Sequence, residues 1–287
     1  MRYRSLLLLL PLLAVLLRAE DSLGEQAKEL YRAKRFPEAR GVYEKIVAAE
    51  PNNAEAHFYL GDLAGKRGDN DESVKQFEQA VALEPKNANY LVELGGAYGQ
   101  SAEKASIFSK FGLAKKCLAC LEKAVELEPD NLVARQAAFS YYRAAPSIVG
   151  GGIDKALAEA REIQKRDPIL GAALLGQVYL DDKKITEAFA LYEATLKTAP
   201  DNYGLLYAIG RGAAQTGTHL YRGEQALRRC LELTPGPNDA PMEGVHWRLG
   251  NIAEKRGNVA AAKAAYQAAL ELNPHFKPAA ESLAKLK

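Results

Sequence analysis

The chain has few of the residues that most often carry chemistry or covalent crosslinks. Its 287 residues include only three cysteines, two methionines and one tryptophan. An odd number of cysteines argues against a framework of disulfides. The four histidines share no metal-ligand spacing with one another or with the cysteines: His57, His219, His246 and His275. We expect core or half-core packing from these histidines, and no metal site.

Motifs of catalysis are lacking as well. Neither Gly-x-Ser-x-Gly, His-Glu-x-x-His nor a Walker-type phosphate motif occurs. We therefore predict no catalytic or cofactor-binding residue and no enzyme. Charge is nearly balanced, with 38 basic and 36 acidic residues. A chain with such a balance has no overall positive potential that would attract nucleic acid.

Long apolar runs are also missing. The longest, residues 6–17, holds 12 residues, or about 18 Å of helix against a hydrocarbon core of about 30 Å. It follows two arginines and precedes Arg18-Ala19, an order typical of a secretory signal peptide. We predict a signal peptide over residues 1–19 and an exported chain, periplasmic or extracellular, without a stable membrane span. An uncleaved N-terminal anchor is the alternative.

Cleavage after Ala19 would remove three arginines and no acid, which leaves 35 basic and 36 acidic residues. No cysteine precedes Cys117, so the lipid-attachment cysteine of a bacterial lipoprotein is missing. The processed chain is therefore expected to be soluble.

A regular proline spacing is the strongest positive signal. Pro51 and Pro85 both end apolar helical stretches and are 34 residues apart. Further prolines end later stretches in the same way: Pro129, Pro168, Pro200, Pro235 and Pro274. Self-similarity at this period is the mark of stacked repeats that cannot bury their apolar faces alone. We expect one elongated body without a linker.

The second repeat carries the clearest pattern. His57-x-x-Leu60-Gly61-x-x-Ala64 is followed by Ser73-x-x-x-Phe77-x-x-Ala80 and Pro85. Their spacings place these residues on one face of each of two helices, with small residues where the helices approach and bulky ones between them. The pattern resembles the tetratricopeptide repeat (TPR). It returns as Leu94-Gly95, Leu175-Gly176, Ile209-Gly210 and Leu249-Gly250, whereas Phe139 replaces the glycine in repeat four.

The resemblance implies an all-α, right-handed superhelical solenoid of about seven helix-turn-helix repeats plus a C-terminal capping helix. The solenoid would fill residues 20–287, with the cap over 278–287. The approximate repeats are 20–53, 54–87, 88–131, 132–168, 169–202, 203–238 and 243–276. Four asparagines stand where a side chain can cap a following helix: Asn53, Asn87, Asn131 and Asn202.

Two insertions interrupt the period. About ten extra residues in repeat three include Ile107, Phe108 and Phe111. They predict either longer helices with these residues packed on each other or a protrusion that contacts a partner. Repeat four gains residues 144–152, a flexible connector whose three glycines could alternatively expose amides to an anion. Cys117 and Cys120 fit buried structural thiols, with a reactive pair as the alternative.

The resemblance also places a binding groove on the first helices of the repeats, at positions three before, one after and four after the Leu-Gly glycine. Helical spacing leaves that stripe free to face outward. The C-terminal half is the richer one, with Tyr207, Arg211, Gln215, Trp247, Asn251 and Lys255 as the candidate partner-binding residues. Packing beneath the C-terminal helix is the alternative for Trp247. Lys28, Asp62 and Gly96, one after the glycine position in the first three repeats, do not form the family's carboxylate clamp.

These observations predict a noncatalytic scaffold of the cell envelope that binds a protein or peptide partner in its groove. Two alternatives remain. One is a thiol-active envelope protein that uses Cys117 and Cys120. The other is a structural protein that self-associates through Ile107, Phe108 and Phe111.

Overall fold

A computed structural model of the chain describes residues 23–237 and 239–286. The predicted signal peptide, residues 1–19, lies outside them. Every regular element among the described residues is a helix, which confirms the all-α, helical-repeat prediction. The chain divides into two compact units, one ending at Gly152 and the next beginning at Ile153. The division falls inside the insertion of repeat four.

The first unit contains seven α-helices and one short 3-10 turn among its described residues. α1 is described over residues 23–32. It is followed by α2 (Phe36–Ala49), α3 (Ala54–Lys66), α4 (Asn70–Leu83), α5 (Ala88–Lys104), α6 (Ile107–Leu127), α7 (Leu132–Ala144) and the 3-10 turn Ser147–Val149.

The second unit contains eight helices among its described residues. They are α8 (Ile153–Arg166), α9 (Pro168–Asp181), α10 (Ile185–Leu196), α11 (Tyr203–Thr216), α12 (Leu220–Leu231), α13 (Met242–Lys255), α14 (Val259–Leu272) and α15 (Lys277–Lys285). Within each unit, consecutive helices joined by short turns pack as antiparallel hairpins. First helices of adjacent repeats also touch, α3 with α5 and α5 with α7 in one unit, and α9 with α11 and α11 with α13 in the other.

In the repeats that carry a Leu-Gly or Ile-Gly pair, a close contact at its glycine holds the two helices together. A Cβ added at Gly61 would lie 2.9 Å from the Phe77 ring, nearer than real Cβ contacts allow. Gly250 and Tyr266 show the same relation at 2.3 Å. The bulky side chain of the second helix therefore occupies the space that a side chain on the first helix would need. Glycine is required here by close approach rather than by backbone conformation.

The predicted asparagine caps are confirmed. The Asn53 side chain accepts a hydrogen bond from the Ala56 amide at 2.9 Å, and Asn87, Asn131 and Asn202 cap α5, α7 and α11 in the same way. Each cap replaces a partner that the first amides of a helix lack. In three of the four turns, the asparagine amide also donates to a glutamate three residues earlier: Glu50, Glu84 and Glu128.

The insertion in repeat three lengthens both helices, as one of the two predictions had it. α5 has 17 residues and α6 has 21, whereas α3 has 13 and α4 has 14. The expected packing of the extra apolar residues on each other is wrong. Ile107 is 66% exposed, Phe108 91% and Phe111 43%. The extension carries these side chains into solvent because it adds length without adding a neighbouring helix.

The insertion in repeat four forms a turn that is fixed by hydrogen bonds, not an anion site. Val149 is buried, and its carbonyl accepts a hydrogen bond from the Tyr141 hydroxyl at 2.8 Å. The amides of the three glycines are already used, because Gly150 donates to Ser147, Gly151 to Pro146 and Gly152 to Tyr142. An anion would have to displace these carbonyls. Ile148, beside the buried Val149, is exposed.

Two glycine substitutions should separate close approach from helix propensity. Gly250→Ala should lower the free energy of unfolding by about 1–3 kcal/mol, because the new methyl would overlap the buried Tyr266 ring. Gly96→Ala lies in the middle of α5 with nothing within 4 Å of the new Cβ. It should raise stability by up to about 1 kcal/mol. Denaturant unfolding followed by circular dichroism measures both, and equal losses at the two sites would contradict the close-approach explanation.

Candidate functional site

The six predicted partner-binding residues lie on two adjacent first helices of the second unit. Tyr207, Arg211 and Gln215 follow one another at four-residue intervals along α11, and Trp247, Asn251 and Lys255 do so along α13. Residues at that spacing share one stripe of a helix. Because α11 packs against α13, the structure brings the two stripes side by side. We call this surface of six residues the α11–α13 face.

The aromatic residues of the face are partly used in packing. The Trp247 indole donates a hydrogen bond to Ser282 Oγ at 3.1 Å, and its ring meets Phe276 edge-on with 6.0 Å between centroids. These partners belong to α15 and the residue before it. Trp247 therefore packs beneath the C-terminal helix, as the alternative prediction for this residue had it. Arg248 covers the same ring, with Cζ 4.0 Å from its centroid.

Tyr207 behaves similarly. It is half-buried and packs against the main core of the second unit. Its hydroxyl oxygen would lie 3.5 Å from a Cβ added at Gly244, on the next first helix. The same position in the first unit holds Phe58, which stacks on Tyr90 with 4.9 Å between centroids. Side chains three before the glycine therefore pack against the following first helix in both units.

The polar residues of the face remain accessible. Gln215 and Lys255 are exposed, and Arg211 and Asn251 are half-buried. By contrast, Ala214, four after the glycine of α11, is only 4% exposed. Small residues at that position serve packing, so the outward stripe runs through the positions one and five after the glycine.

Asn251 is held in place by a buried tyrosine of the next helix, α14. The hydroxyl of the buried Tyr266 lies 2.8 Å from both Asn251 Oδ1 and Glu254 Oε2. Burial first, and then the hydrogen bond with Glu254, raises the pKa of Tyr266. The phenol therefore stays protonated and keeps Asn251 oriented. Such support lowers the entropy that a side chain loses when it binds a partner.

The corresponding surface of the first unit is satisfied internally. The Tyr31 hydroxyl donates to Asp62 Oδ2 at 2.5 Å, and Lys66 pairs with the same carboxylate at 2.9 Å. Lys28 pairs with Glu55 at 2.9 Å. A partner would have to compete with these contacts. The α11–α13 face is the better candidate for binding because its exposed cation, Lys255, pairs with no carboxylate in the described part of the chain.

The cysteines have the properties of structural thiols. Cys117 and Cys230 are buried, Cys120 is half-buried, and all three are free of disulfides. Burial raises the pKa of Cys117 and of Cys120 to about 11. Thiolate is the reactive form of cysteine, and little of it exists near neutral pH at such values. These properties favour the structural interpretation over a reactive pair.

The histidines serve local packing. His57 is buried, with its Nε2 2.9 Å from the Pro51 carbonyl oxygen and its Nδ1 2.6 Å from Gln76 Oε1. His219 stacks on Phe189, and burial lowers the pKa of His246. Among residues 23–237 and 239–286, no group of three histidine, cysteine or acidic side chains is placed to hold a metal ion.

The fold and this face define a helical-repeat protein built from antiparallel helix pairs. Three segments match tetratricopeptide repeat models, over residues 30–92, 102–131 and 244–276. The chain is a tetratricopeptide repeat protein. Proteins of this family are in general noncatalytic scaffolds that bind other proteins. No curated protein matches the sequence significantly.

Solved structures show the same fold. A tetratricopeptide repeat protein from Parabacteroides merdae is 13% identical and superimposes with a TM-score of 0.69, over 93% of this chain and 98% of that one. A thermophilic TPR protein from Thermus thermophilus is 22% identical, with a TM-score of 0.50 over 65% of this chain and 94% of the other. Identities this low show similarity of fold alone. In the described part of the chain, no helix is both long and apolar enough to cross a membrane.

Alkylation kinetics test the thiol interpretation. At about pH 7, iodoacetamide should modify Cys117 and Cys120 about 100-fold more slowly in the folded chain than in denaturant, since their thiolates are scarce and their sulfurs covered. Raising the pH should increase the native rate up to the pKa of about 11, whereas the denatured chain should level off at about pH 8.5. Equal native and denatured rates would restore the reactive pair.

Proposed function

We propose that this protein is an exported, noncatalytic scaffold that captures a segment of a partner protein on the α11–α13 face. One observation carries the proposal. Gln215 and Lys255 are exposed on two adjacent first helices. In the first unit, by contrast, Asp62 is already engaged by Tyr31 and Lys66, and Lys28 by Glu55. Exposed polar groups on a surface that is already formed are available to a partner without rearrangement.

The chemistry of the face indicates what the segment offers. Arg211 and Lys255 supply positive charge, and the side-chain amides of Gln215 and Asn251 supply donors. Complementary groups are carboxylates and backbone carbonyls. An extended or helical segment with acidic side chains fits these donors, and the half-buried Tyr207 gives it an aromatic surface to contact.

Site-specific crosslinking tests the binding face. A photoreactive residue in place of Gln215 should crosslink a partner in the native envelope, and the same residue in place of Gln267, exposed on α14, should not. Lys255→Glu should abolish the crosslink by reversing the charge that the partner meets. Lys263→Glu makes the same change on α14 and should leave it intact.

The crosslinked partner is then digested and identified by mass spectrometry. Its attached peptide should be rich in acidic residues. A partner that crosslinks equally from positions 215 and 267, or that persists in the Lys255→Glu variant, would place binding elsewhere on the molecule.

Export to a bacterial cell envelope is the second part of the proposal. It is supported by the arginines, the 12-residue apolar run and the small residue at Ala19. These residues lie outside the part of the chain that the structure describes. A chain processed there would begin at Glu20.

Intact mass tests export directly. Protein recovered from the envelope of a bacterial host should lack residues 1–19. Leu9→Arg should leave unprocessed chain in the cytoplasm, because a charge breaks the apolar run that the export machinery recognises. Leu272→Arg, on an exposed leucine of α14, is the matched control and should be processed normally. A full-length chain anchored in the membrane would instead support the uncleaved alternative.

Self-association through Ile107, Phe108 and Phe111 remains a second candidate function. Their exposure favours a contact role for this part of the molecule. The raised pKa values of the thiols count against the thiol-active alternative.

A further inference from the structure

The extended end of the α5–α6 hairpin is the most exposed apolar surface of the first unit. We call residues 104–116 the α5–α6 tip. Residues 106–112 are all exposed, although an α-helix that rests on a neighbour would bury about every third or fourth residue. The start of α6 therefore rests on no other helix of residues 23–237 and 239–286. Phe108, at 91% exposed, has almost no contact with the rest of the protein.

The tip is also basic. The 18-residue stretch 104–121 contains four lysines and no acidic residue. Among the described residues, no carboxylate lies within 4 Å of Lys110 or Lys115. Lys116 lies 3.8 Å from Glu78, and Lys104 reaches Asn70 at 3.4 Å. The lysines nearest the exposed phenylalanines are thus the ones without partners.

These residues do not stabilise the helix that carries them. The Ser106 side chain makes no capping hydrogen bond, and the first turn of α6 has no acidic residue. Lys110 adds positive charge near the positive end of the helix dipole, which is unfavourable. α3, α5 and α7 are all capped by asparagine. α2, in the same unit, also begins without a side-chain cap, so exposure and charge, rather than the missing cap, distinguish the tip.

We propose that the α5–α6 tip docks on the surface of a membrane that contains anionic lipids. Ile107, Phe108 and Phe111 would enter the boundary between headgroups and acyl chains. Lys110 and Lys115 would meet the lipid phosphates. Exposed aromatic and aliphatic side chains flanked by lysines are the features that hold a helix in the plane of an anionic interface. The tip touches the bilayer without crossing it.

The charge pattern favours this occupant over a second copy of the chain. A twofold contact through the tip would place the same patch on both sides of the interface. It would bring Lys110 and Lys115 of one copy toward those of the other, with no acid between positions 104 and 121 to offset them. A lipid surface supplies the negative charge that a second copy lacks.

Shape favours a membrane over a peptide as well. Peptide recognition needs a groove that surrounds the ligand, whereas side chains that radiate from a free helix end form a convex surface. The adjoining 3-10 turn adds to it. The Tyr141 hydroxyl contacts both the Ala114 carbonyl of α6, at 2.9 Å, and the Val149 carbonyl, at 2.8 Å. The turn that carries the exposed Ile148 is therefore fixed beside α6.

Vesicle cosedimentation tests the proposal with the chain that begins at Glu20. The core clusters of the described residues all lie from Leu23 onward, so this chain keeps them. It should bind vesicles of phosphatidylcholine mixed with phosphatidylglycerol, and bind far less to phosphatidylcholine alone. High salt should weaken the binding, because salt screens the lysine contribution.

Two double variants separate the contributions. Phe108→Ser with Phe111→Ser should lower the partition coefficient about tenfold or more, since each ring loses its apolar environment. Lys110→Gln with Lys115→Gln should lower it about fivefold per lysine on the anionic vesicles only. Both changes affect exposed side chains, so circular dichroism spectra should match that of the wild type.

Matched controls change the same chemistry elsewhere. Tyr221→Ser with Val259→Ser removes exposed apolar side chains of the second unit, and Lys263→Gln with Lys285→Gln removes exposed lysines. Both controls should bind as the wild type does. Absence of binding to the anionic vesicles, or equal binding by the tip variants, would overturn the proposal. So would a dimeric mass by light scattering without lipid that becomes monomeric in the phenylalanine variant, because a second copy would then occupy the tip.

Discussion

The fold depends on the contact between the glycine of a first helix and a bulky side chain of the second, which five of the repeats share. Gly176 meets Tyr192, and Gly210 meets Leu227, so closely that an added Cβ would lie 2.1 and 2.2 Å away. That approach sets the distance between the helices of a pair. It also leaves the opposite side of each first helix without a partner inside its own repeat. The surface proposed for binding is therefore the side of the first helix that the glycine contact leaves uncovered.

What could be predicted from the sequence is what one repeat determines by itself. Each glycine contact joins two residues of one repeat, and each asparagine caps a helix that begins beside it. The spacing of these residues can therefore be read from the sequence. The roles of Tyr207 and Trp247 were harder to predict, because they depend on how the next first helix crosses over them. A helical period shows which residues share a stripe, but not how much of that stripe a neighbour covers.

The exposed residues of the two insertions show the same limit of prediction from the sequence. Phe108 and Ile148 are apolar residues in a helix-forming context, and apolar residues are ordinarily buried. Both are exposed where the insertions add turns to the repeats. The lack of acids across the first half of α6 was a usable signal in the sequence. Together with a break in the period, it marks residues retained for something other than packing.

The turns that join the first repeats have the same chemistry each time. Glu50-Pro51-Asn52-Asn53, Glu84-Pro85-Lys86-Asn87 and Glu128-Pro129-Asp130-Asn131 each end one helix and cap the next with one glutamate–asparagine pair. Such turns are equivalent junctions between repeats. Loss of residues 54–87 would place Ala88 directly after Asn53 and recreate an equivalent junction. Gain or loss of a whole repeat at these turns therefore keeps the glutamate–asparagine pair and the helix cap at the new junction. An array can change its length in this way without a change in the sequence of its turns.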